Sequence, residues 1–332
     1  MKAVTIAAGL WLCALLFAGP AAGRERPAVR PPYLHAGDSV GVVTISSRTD
    51  TLRRRHYEKC LDVLRGWGLH VRRSEHLYGA AGGWFNAPDS VRGADLQRMI
   101  DNPNLRAILF FRGGYGALRA LDHADLTPLR TDPKWLAGFS DLTVVHYALR
   151  RLGVESIHGT MPSFFRTDSL ERDTSALSLR DALFGRLDGY RTASHPLDRK
   201  GTARGVLLGG NLSVLSSLNG TPLDDDRTEP VLLLLEDVGE SIHHIDRMLQ
   251  TLRRSGRLSA VRGIVAGDFV RIRGEKQWGE TAADLVRRLA DELDVPAVFG
   301  FPAGHDAANY SLYMGREAVL TVTESGSELR FL

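Results

Sequence analysis

Trp135-Leu136-Ala137-Gly138-Phe139-Ser140-Asp141-Leu142-Thr143 holds the first residue whose type and setting suit covalent chemistry. A short apolar run passes through a glycine to Ser140 and straight into the helix-like stretch from Leu142 to Arg151, so the serine falls on a tight strand-to-helix turn. Such a turn exposes the hydroxyl and aims the first backbone N–H groups of the helix at whatever is bound to it, as an acyl-transfer nucleophile requires. The same pattern also describes an ordinary helix N-cap, and the glycine of a lipase-type elbow two places after the serine is here Leu142. A base, an orienting acid and oxyanion donors therefore have to come from elsewhere in the chain.

Eleven histidines compete for the role of base. His146 lies six residues beyond Ser140, about 9 Å of helical rise away and on the wrong face. His243 and His244 are adjacent in the first turn of a helix, where neighbours point apart, and with no carboxylate at ligand spacing they read as solvated or capping residues rather than a metal pair. His305 follows the short strand Ala297-Val298-Phe299 on the glycine-rich loop Gly300 to Asp306, where an imidazole can stay exposed, either as the base or as a brace for the loop.

Glu236 ends five consecutive apolar residues, Val231 to Leu235, a costly place for a charge without a partner. Its carboxylate suits the imidazole N–H of a catalytic histidine, fixing the tautomer, or a salt bridge to an arginine. Asp237 is the competing acid, though strand alternation turns it to the opposite face. Gly113-Gly114 ends the strand Arg106 to Phe111, and a backbone without side chains can approach a bound carbonyl closely. The Gly114 N–H with the Asp141 N–H would form a two-donor oxyanion hole; a plain turn is the other use of the glycine pair.

These residues need a frame, and the hydropathy pattern supplies one. Asp38 to Ser46 is a buried-strand pattern, Leu52 to Trp67 a helix, His70 to Ser74 a strand and Ala87 to Ile100 a helix, before the strand that ends at Arg112. The alternation predicts an α/β fold with a doubly wound parallel sheet, in which ligands sit at the carboxyl ends of the strands. Ser156 to Gly159 closes this part, and Asp173 to Phe184 is a helix within an otherwise turn-rich connection. A second unit follows: strands at Ala203 to Leu208, Val231 to Leu235, Gly263 to Gly267 and Ala297 to Phe299, helices from Ser241 to Arg254 and Thr281 to Leu293, and a hairpin from Glu317 to Leu332 turned at Ser325-Gly326. The expected division is a signal peptide at 1–23, a nucleophile domain at 24–165, a linker at 166–202 and a domain at 203–332 carrying acid and base.

Composition is that of a globular protein, 43% hydrophobic and 24% charged, with a net charge of +3 too small for a nucleic-acid footprint. Lys2, the apolar run Ala3 to Ala18 and the small residues Gly19 to Gly23 form a secretory signal peptide pattern, too short for a membrane span, so no stable membrane insertion is expected after cleavage. Cys13 lies inside it, which leaves Cys60 alone and no internal disulfide. Export without a disulfide points to a periplasm or cell exterior.

Taken together, these motifs resemble the serine LD-carboxypeptidases, also called muramoyltetrapeptide carboxypeptidases, whose relatives include the microcin C self-immunity peptidases. The likeness runs from about Ala36 to Gly315 through His35-Ala36-Gly37-Asp38-Ser39-Val40, Arg112-Gly113-Gly114-Tyr115-Gly116, Gly138-Phe139-Ser140-Asp141-Leu142-Thr143, Gly209-Gly210-Asn211-Leu212, Leu235-Glu236-Asp237 and Gly304-His305-Asp306. It implies Ser140 as nucleophile, Glu236 as acid and His305 as base, on a first domain like the class I glutamine amidotransferases, a smaller β-rich second domain, often a homodimer, and no metal or organic cofactor. The chain departs from the family at Thr160, where proline is common, and in Asn309-Tyr310-Ser311-Leu312, where Leu-Pro-Leu-Gly usually follows an asparagine. The implied reaction is release of a C-terminal D-alanine from a muropeptide tetrapeptide, with Arg112 as the fork for the terminal carboxylate and Tyr115 and Asn211 as further substrate contacts. The rival expectations are a microcin-type peptidase cleaving an aminoacyl-nucleotide amide and a non-catalytic peptidoglycan-binding protein.

Overall fold

The computed structural model describes residues 28–79, 83–224 and 229–332; the expected signal peptide and Cys13 lie outside the described residues. Strands and helices alternate through the first half: β1 Ser39–Val43, α1 Arg54–Gly66, β2 His70–Arg73, α2 Asp89–Ile100, β3 Leu105–Phe110, α3 Ala117–Leu121, β4 Trp135–Gly138, α4 Thr143–Leu152 and β5 Ser156–His158. These strands lie in the order β2-β1-β3-β4-β5, all parallel. Strand order reverses between β1 and β3, where open α/β sheets bind ligands. The inner strands read as continuous apolar runs because helices cover both faces, and β4 is buried at every position.

The second half adds α5 Thr174–Leu183, β6 Gly189–Thr192, β7 Gly201–Asn211, α6 Leu212–Ser217, β8 Val231–Val238, α7 Ile242–Arg254, β9 Val261–Val270, α8 Glu275–Trp278, α9 Ala282–Leu293, β10 Ala297–Val298, β11 Leu312–Met314, β12 Glu317–Thr323 and β13 Gly326–Phe331. Its sheet runs β10-β9-β8-β7-β12-β13-β6, parallel from β10 to β7 and antiparallel beyond. The stretch expected as a linker thus supplies a helix and an edge strand. β6 reads Gly-Tyr-Arg-Thr and is only half buried, so it carries no apolar run to announce it.

Two connections make the halves one body. β11 leaves the second sheet and pairs antiparallel with β5, extending the first sheet. One apolar cluster runs from Val145 and Leu149 of α4 to Leu208, Leu212 and Leu215 of β7 and α6, so no solvent layer separates the sheets. Beside β11, Arg316 is buried over the Tyr313 ring at 3.5 Å, and its Nε donates to Glu155 at 2.9 Å.

Candidate active site

The turn that bears Ser140, the expected nucleophile, is held by backbone geometry. Phe139 is extended at φ −148°, Ser140 itself has φ 65°, and residues 140–142 make a single tight turn before α4. A side chain at positive φ is strained, and such strain persists only where the surroundings enforce it. The Gly113-Gly114 turn is packed directly against it: a Cβ on Gly113 would lie 3.2 Å from Ser140 Cβ, and one on Gly114, at φ +119°, only 2.2 Å from Ser47 Oγ. Glycine is required at 114 on both counts.

Asp141 joins the nucleophile turn to its neighbours through its side chain. Oδ2 accepts from Ser46 Oγ at 2.6 Å and from the Ala117 N–H at 2.8 Å, so loops after β1, β3 and β4 meet on one carboxylate. Burial pushes this carboxyl up from the usual range, opposed by those hydrogen bonds and by nearby Arg92. Arg92 is fully buried, paired with Asp89, and donates to the Gly116 carbonyl at 3.2 Å with its guanidinium 4.2 Å from the Phe85 ring centre.

His305 crosses the seam to reach Ser140. Its Nε2 lies 3.0 Å from Ser140 Oγ, and its Nδ1 lies 2.7 Å from Glu236 Oε2. With Nδ1–H donating to the carboxylate, Nε2 is left as the acceptor for the serine hydroxyl, the tautomer a general base needs. Glu236 is wholly buried, and its Oε1 has no partner among the described residues. The imidazole lies 4.8 Å from the Phe139 ring, centre to centre.

The loop bearing His305 is held by one of its own side chains and by two from distant parts of the chain. Asn309 Oδ1 accepts from the Gly304 N–H at 3.1 Å, the Asn309 N–H donates to Ser175 Oγ at 2.8 Å, and Arg166 Nη2 donates to the Ala307 carbonyl at 2.8 Å. Asp268 stands beside the loop, 3.4 Å from the Asp306 N–H, and burial pushes its carboxyl up to about 6. Asp237 is pushed up to about 6 for the same reason and accepts from the Ser213 and Val238 N–H groups at 2.8 and 2.7 Å. The neighbouring carboxylates therefore divide: Glu236 takes the imidazole and Asp237 braces the start of α6.

The remaining expected residues are placed as follows. Arg112 donates to the Arg48 carbonyl at 2.6 Å and lines a cleft next to the nucleophile loop. Tyr115 is 60% exposed, with its N–H bonded to Ser47 Oγ at 3.0 Å. Asn211 is buried: its Oδ1 accepts from the Val214 N–H at 3.2 Å as the cap of α6, and its Nδ2 donates to Asp237 at 3.3 Å. His146 is buried between Ser156 Oγ at 2.8 Å and the Gly138 carbonyl at 3.0 Å, and burial pushes it down to about 4. His244 pairs with Glu240 at 3.0 Å on the surface. Among the described residues one group, Glu75, His76 and Asp95, has metal-ligand proximity, but Arg98 is bonded to Asp95 and lies 3.6 Å from Glu75, filling the place with its own cation.

Sequence reasoning missed Ser46, Arg92, Ser175, Asp268 and the side-chain role of Asp141. Only Asp141 carried a local signal, an acid buried one residue past a strained turn; the others are recognisable only from contacts distant in the chain.

The chain matches the family model of the LD-carboxypeptidase N-terminal domain over residues 40–159 and that of the LD-carboxypeptidase C-terminal domain over residues 204–320. It is 33% identical over 304 residues to a probable murein peptide carboxypeptidase of Bacillus subtilis, covering 89% of this chain and 92% of that one. It is 31% identical over 245 residues to a murein tetrapeptide carboxypeptidase of Pseudomonas aeruginosa, covering 71% and 78%. The crystal structure of a muramoyltetrapeptide carboxypeptidase from Oxalobacter formigenes superposes with a TM-score of 0.78 at 24% identity, over 88% of this chain and 98% of that one. A complex of the protein MccF with glutamyl sulfamoyl guanosine shares the fold with a TM-score of 0.78 at 15% identity, over 90% and 97%.

Proposed function

The chain belongs to the LD-carboxypeptidase family and is a peptidase, and we propose that it is a serine carboxypeptidase that releases the C-terminal D-alanine from muropeptide tetrapeptides. The observation that carries this reading is the unbroken Ser140–His305–Glu236 hydrogen-bond chain, drawn from both halves of the molecule. His305 Nε2 takes the hydroxyl proton as Ser140 Oγ attacks the carbonyl before the terminal D-alanine. The Gly114 and Asp141 amides hold the oxyanion, while the buried Glu236 carboxylate stabilises the imidazolium. His305 then gives its proton to the departing amine, D-alanine leaves, and water activated by the same imidazole frees the tripeptide from Ser140.

Arg112 is the fork for the terminal carboxylate and Tyr115 forms the lip; Asn211, expected as a further substrate contact, has its buried side chain taken up by the cap of α6 and by Asp237. The protein acts in the periplasm or outside the cell after loss of residues 1–23, as a homodimer and without a cofactor; the signal-like segment supports that placement.

The test is incubation of the purified protein with a muropeptide tetrapeptide, products being resolved by mass spectrometry. Wild type is expected to yield tripeptide and D-alanine, and Ser140→Ala to lower kcat by about 10⁴ or more. Absence of tripeptide from wild type refutes the substrate; equal turnover by Ser140→Ala refutes the mechanism. An aminoacyl sulfamoyl nucleoside in parallel tests the microcin-type reading, and failure of a fluorophosphonate to label Ser140 would favour a non-catalytic wall-binding protein.

A further inference from the structure

Strands β8 and β9 fall out of step beside the buried acid. Leu235 pairs with Ala266 and Asp237 with Phe269, so two residues of β9, Gly267 and Asp268, stand against Glu236 alone. An extra residue of this kind interrupts the alternation of side chains along a strand and re-aims one of them, and bulges are over-represented next to active sites. The first residue of the pair has no side chain to place: a Cβ on Gly267 would lie 2.2 Å from the Ala303 oxygen, so the backbone leading to His305 runs where that side chain would be. The second, Asp268, meets the same loop. Its N–H donates to the Ala303 carbonyl at 2.9 Å, and its Oδ2 accepts from the Asp306 N–H over a long 3.4 Å.

Asp268 and Glu236 bracket a single residue. A Cβ on Gly304 would lie 3.0 Å from Glu236 Oε2 and 3.2 Å from Asp268 Cβ. Gly304 directly precedes His305, whose Nδ1 is held by that same Oε2. Of the two carboxyl groups beside the base, the hydrogen-bond chain to Ser140 uses only one.

The other has no cation of its own. Among the described residues no lysine or arginine is paired with Asp268, and the charged or titratable groups that act on it are Glu236 from β8 and Asp306 and His305 from the loop after β10. Burial pushes its carboxyl up to about 6, helped by the two neighbouring acids and opposed by the Asp306 N–H and by His305. It is therefore ionised at neutral pH. Of the groups around it, only the imidazole can become positive, and it does so each time Ser140 gives up its proton. The attraction is reciprocal: whatever His305 does for the carboxylate, the carboxylate does for the imidazolium. The His305 side chain is only 14% exposed, so water screens little of that effect.

We propose that Asp268 is a positioning residue for the base: set by the bulge opposite Glu236, it adds a second negative charge beside His305 that strengthens the imidazole as a proton acceptor, and it steadies the loop through the Asp306 N–H. This role rests on the reading of Ser140, His305 and Glu236 as a triad.

Nuclear magnetic resonance of protein carrying carbon-13 at histidine Cε1, followed from about pH 4 to pH 9, reads the His305 ring without any substrate. Its signal is the one missing from His305→Gln. Asp268→Asn keeps the size and the acceptor oxygen and removes the charge. The midpoint of the His305 titration is expected to fall by at least about half a pH unit in this variant, roughly a threefold loss of proton affinity. The acid limb of kcat/KM for the tetrapeptide should move down with it, while kcat on the plateau drops about three- to tenfold and KM stays within about twofold. Asp268→Glu, which restores the charge, is expected to keep the wild-type midpoint within about 0.3 of a unit, and Asp268→Ser repeats the neutralisation if the amide variant does not fold. A side chain that only braced the loop would leave the midpoint where it was in Asp268→Asn. A fall smaller than half a unit in the folded neutral variant therefore overturns the role, even if activity drops. The expected fall in a protein that cleaves no tetrapeptide supports the role and sinks the substrate assignment; cleavage with an unmoved midpoint does the reverse.

Discussion

The nucleophile turn and the loop that brings its base face each other across one seam, yet they are held by opposite means. Ser140 is fixed by covalent neighbours, through a strained φ of 65° between a buried strand and a helix, with a glycine turn packed on it. His305 is fixed by Asn309 of its own loop and by partners far away in sequence, Glu236, Ser175 and Arg166, which act on the loop or its histidine. The first position starts from the backbone of a few adjacent residues and is enforced by the turns packed on it, whereas the second is a property of the finished tertiary structure throughout. A hydroxyl nucleophile has to be rigid in the face of its oxyanion donors, whereas an imidazole that takes and returns a proton needs orientation from behind.

Substitutions can break that contrast in order of size. The largest effect is expected from Glu236→Ala, which leaves the His305 Nδ1–H without its acceptor and frees the ring to turn: kcat for tetrapeptide hydrolysis should fall by about 10⁴. Loss of less than tenfold would show that packing on Phe139 alone orients the imidazole. Next is Asp141→Ala, which cuts the tie between the two chain segments proposed to carry the oxyanion amides. A fall of about 10² in kcat with KM within threefold is expected, and the fluorophosphonate labelling rate should drop in parallel, with Asp141→Asn between the two. Labelling at the wild-type rate in Asp141→Ala would show that the backbone of the turn needs no side-chain support.

The smallest effects are on stability against pH, and the two sides should differ in sign. Beneath the nucleophile turn, burial pushes His158 down to about 3 and His146 to about 4. The unfolded chain takes up protons on these histidines below about 6.5 while the folded one does not, so stability is lost as pH falls from there toward 4. Beneath the base, Asp237 and Asp268 are raised to about 6, so the folded state holds protons that the unfolded chain releases above about 4, and stability is lost as pH rises through 4 to 6. His158→Phe should therefore remove part of the acid-side loss and Asp268→Asn part of the loss toward neutrality, as read from urea midpoints between pH 4 and 7. The same slope in His158→Phe as in wild type would place that proton uptake elsewhere.

The contrast also explains how much was legible in the sequence. The alternating first sheet, the terminal hairpin and the helix after Ser140 follow from periodicity, which is local. Ser140, Gly113-Gly114 and Glu236 were visible because each sits awkwardly for its residue type: a serine at a strand end, two glycines in a row, a charge closing an apolar strand. His305 was reachable by elimination among histidines and by family resemblance. Arg166 gave no signal, since nothing in the sequence says that its side chain reaches the Ala307 carbonyl on the loop bearing His305. Edge strand β6 escaped because its four residues are half polar, and the returning strand β11 because three buried residues are too short a run to show a period; both gain their order from the sheet they join.

β11 carries a consequence for anyone who would cut the gene in two. A fragment ending after α5 keeps every parallel strand of the first sheet, but β5 loses the antiparallel neighbour that pairs Ile157 with Tyr313, and its outer row of amides and carbonyls is left open. Such an edge is a template for further strands. The amino-terminal piece should accumulate as aggregates when made alone, and soluble recovery should return when residues 312–314 are supplied in trans with the rest of the carboxy-terminal piece.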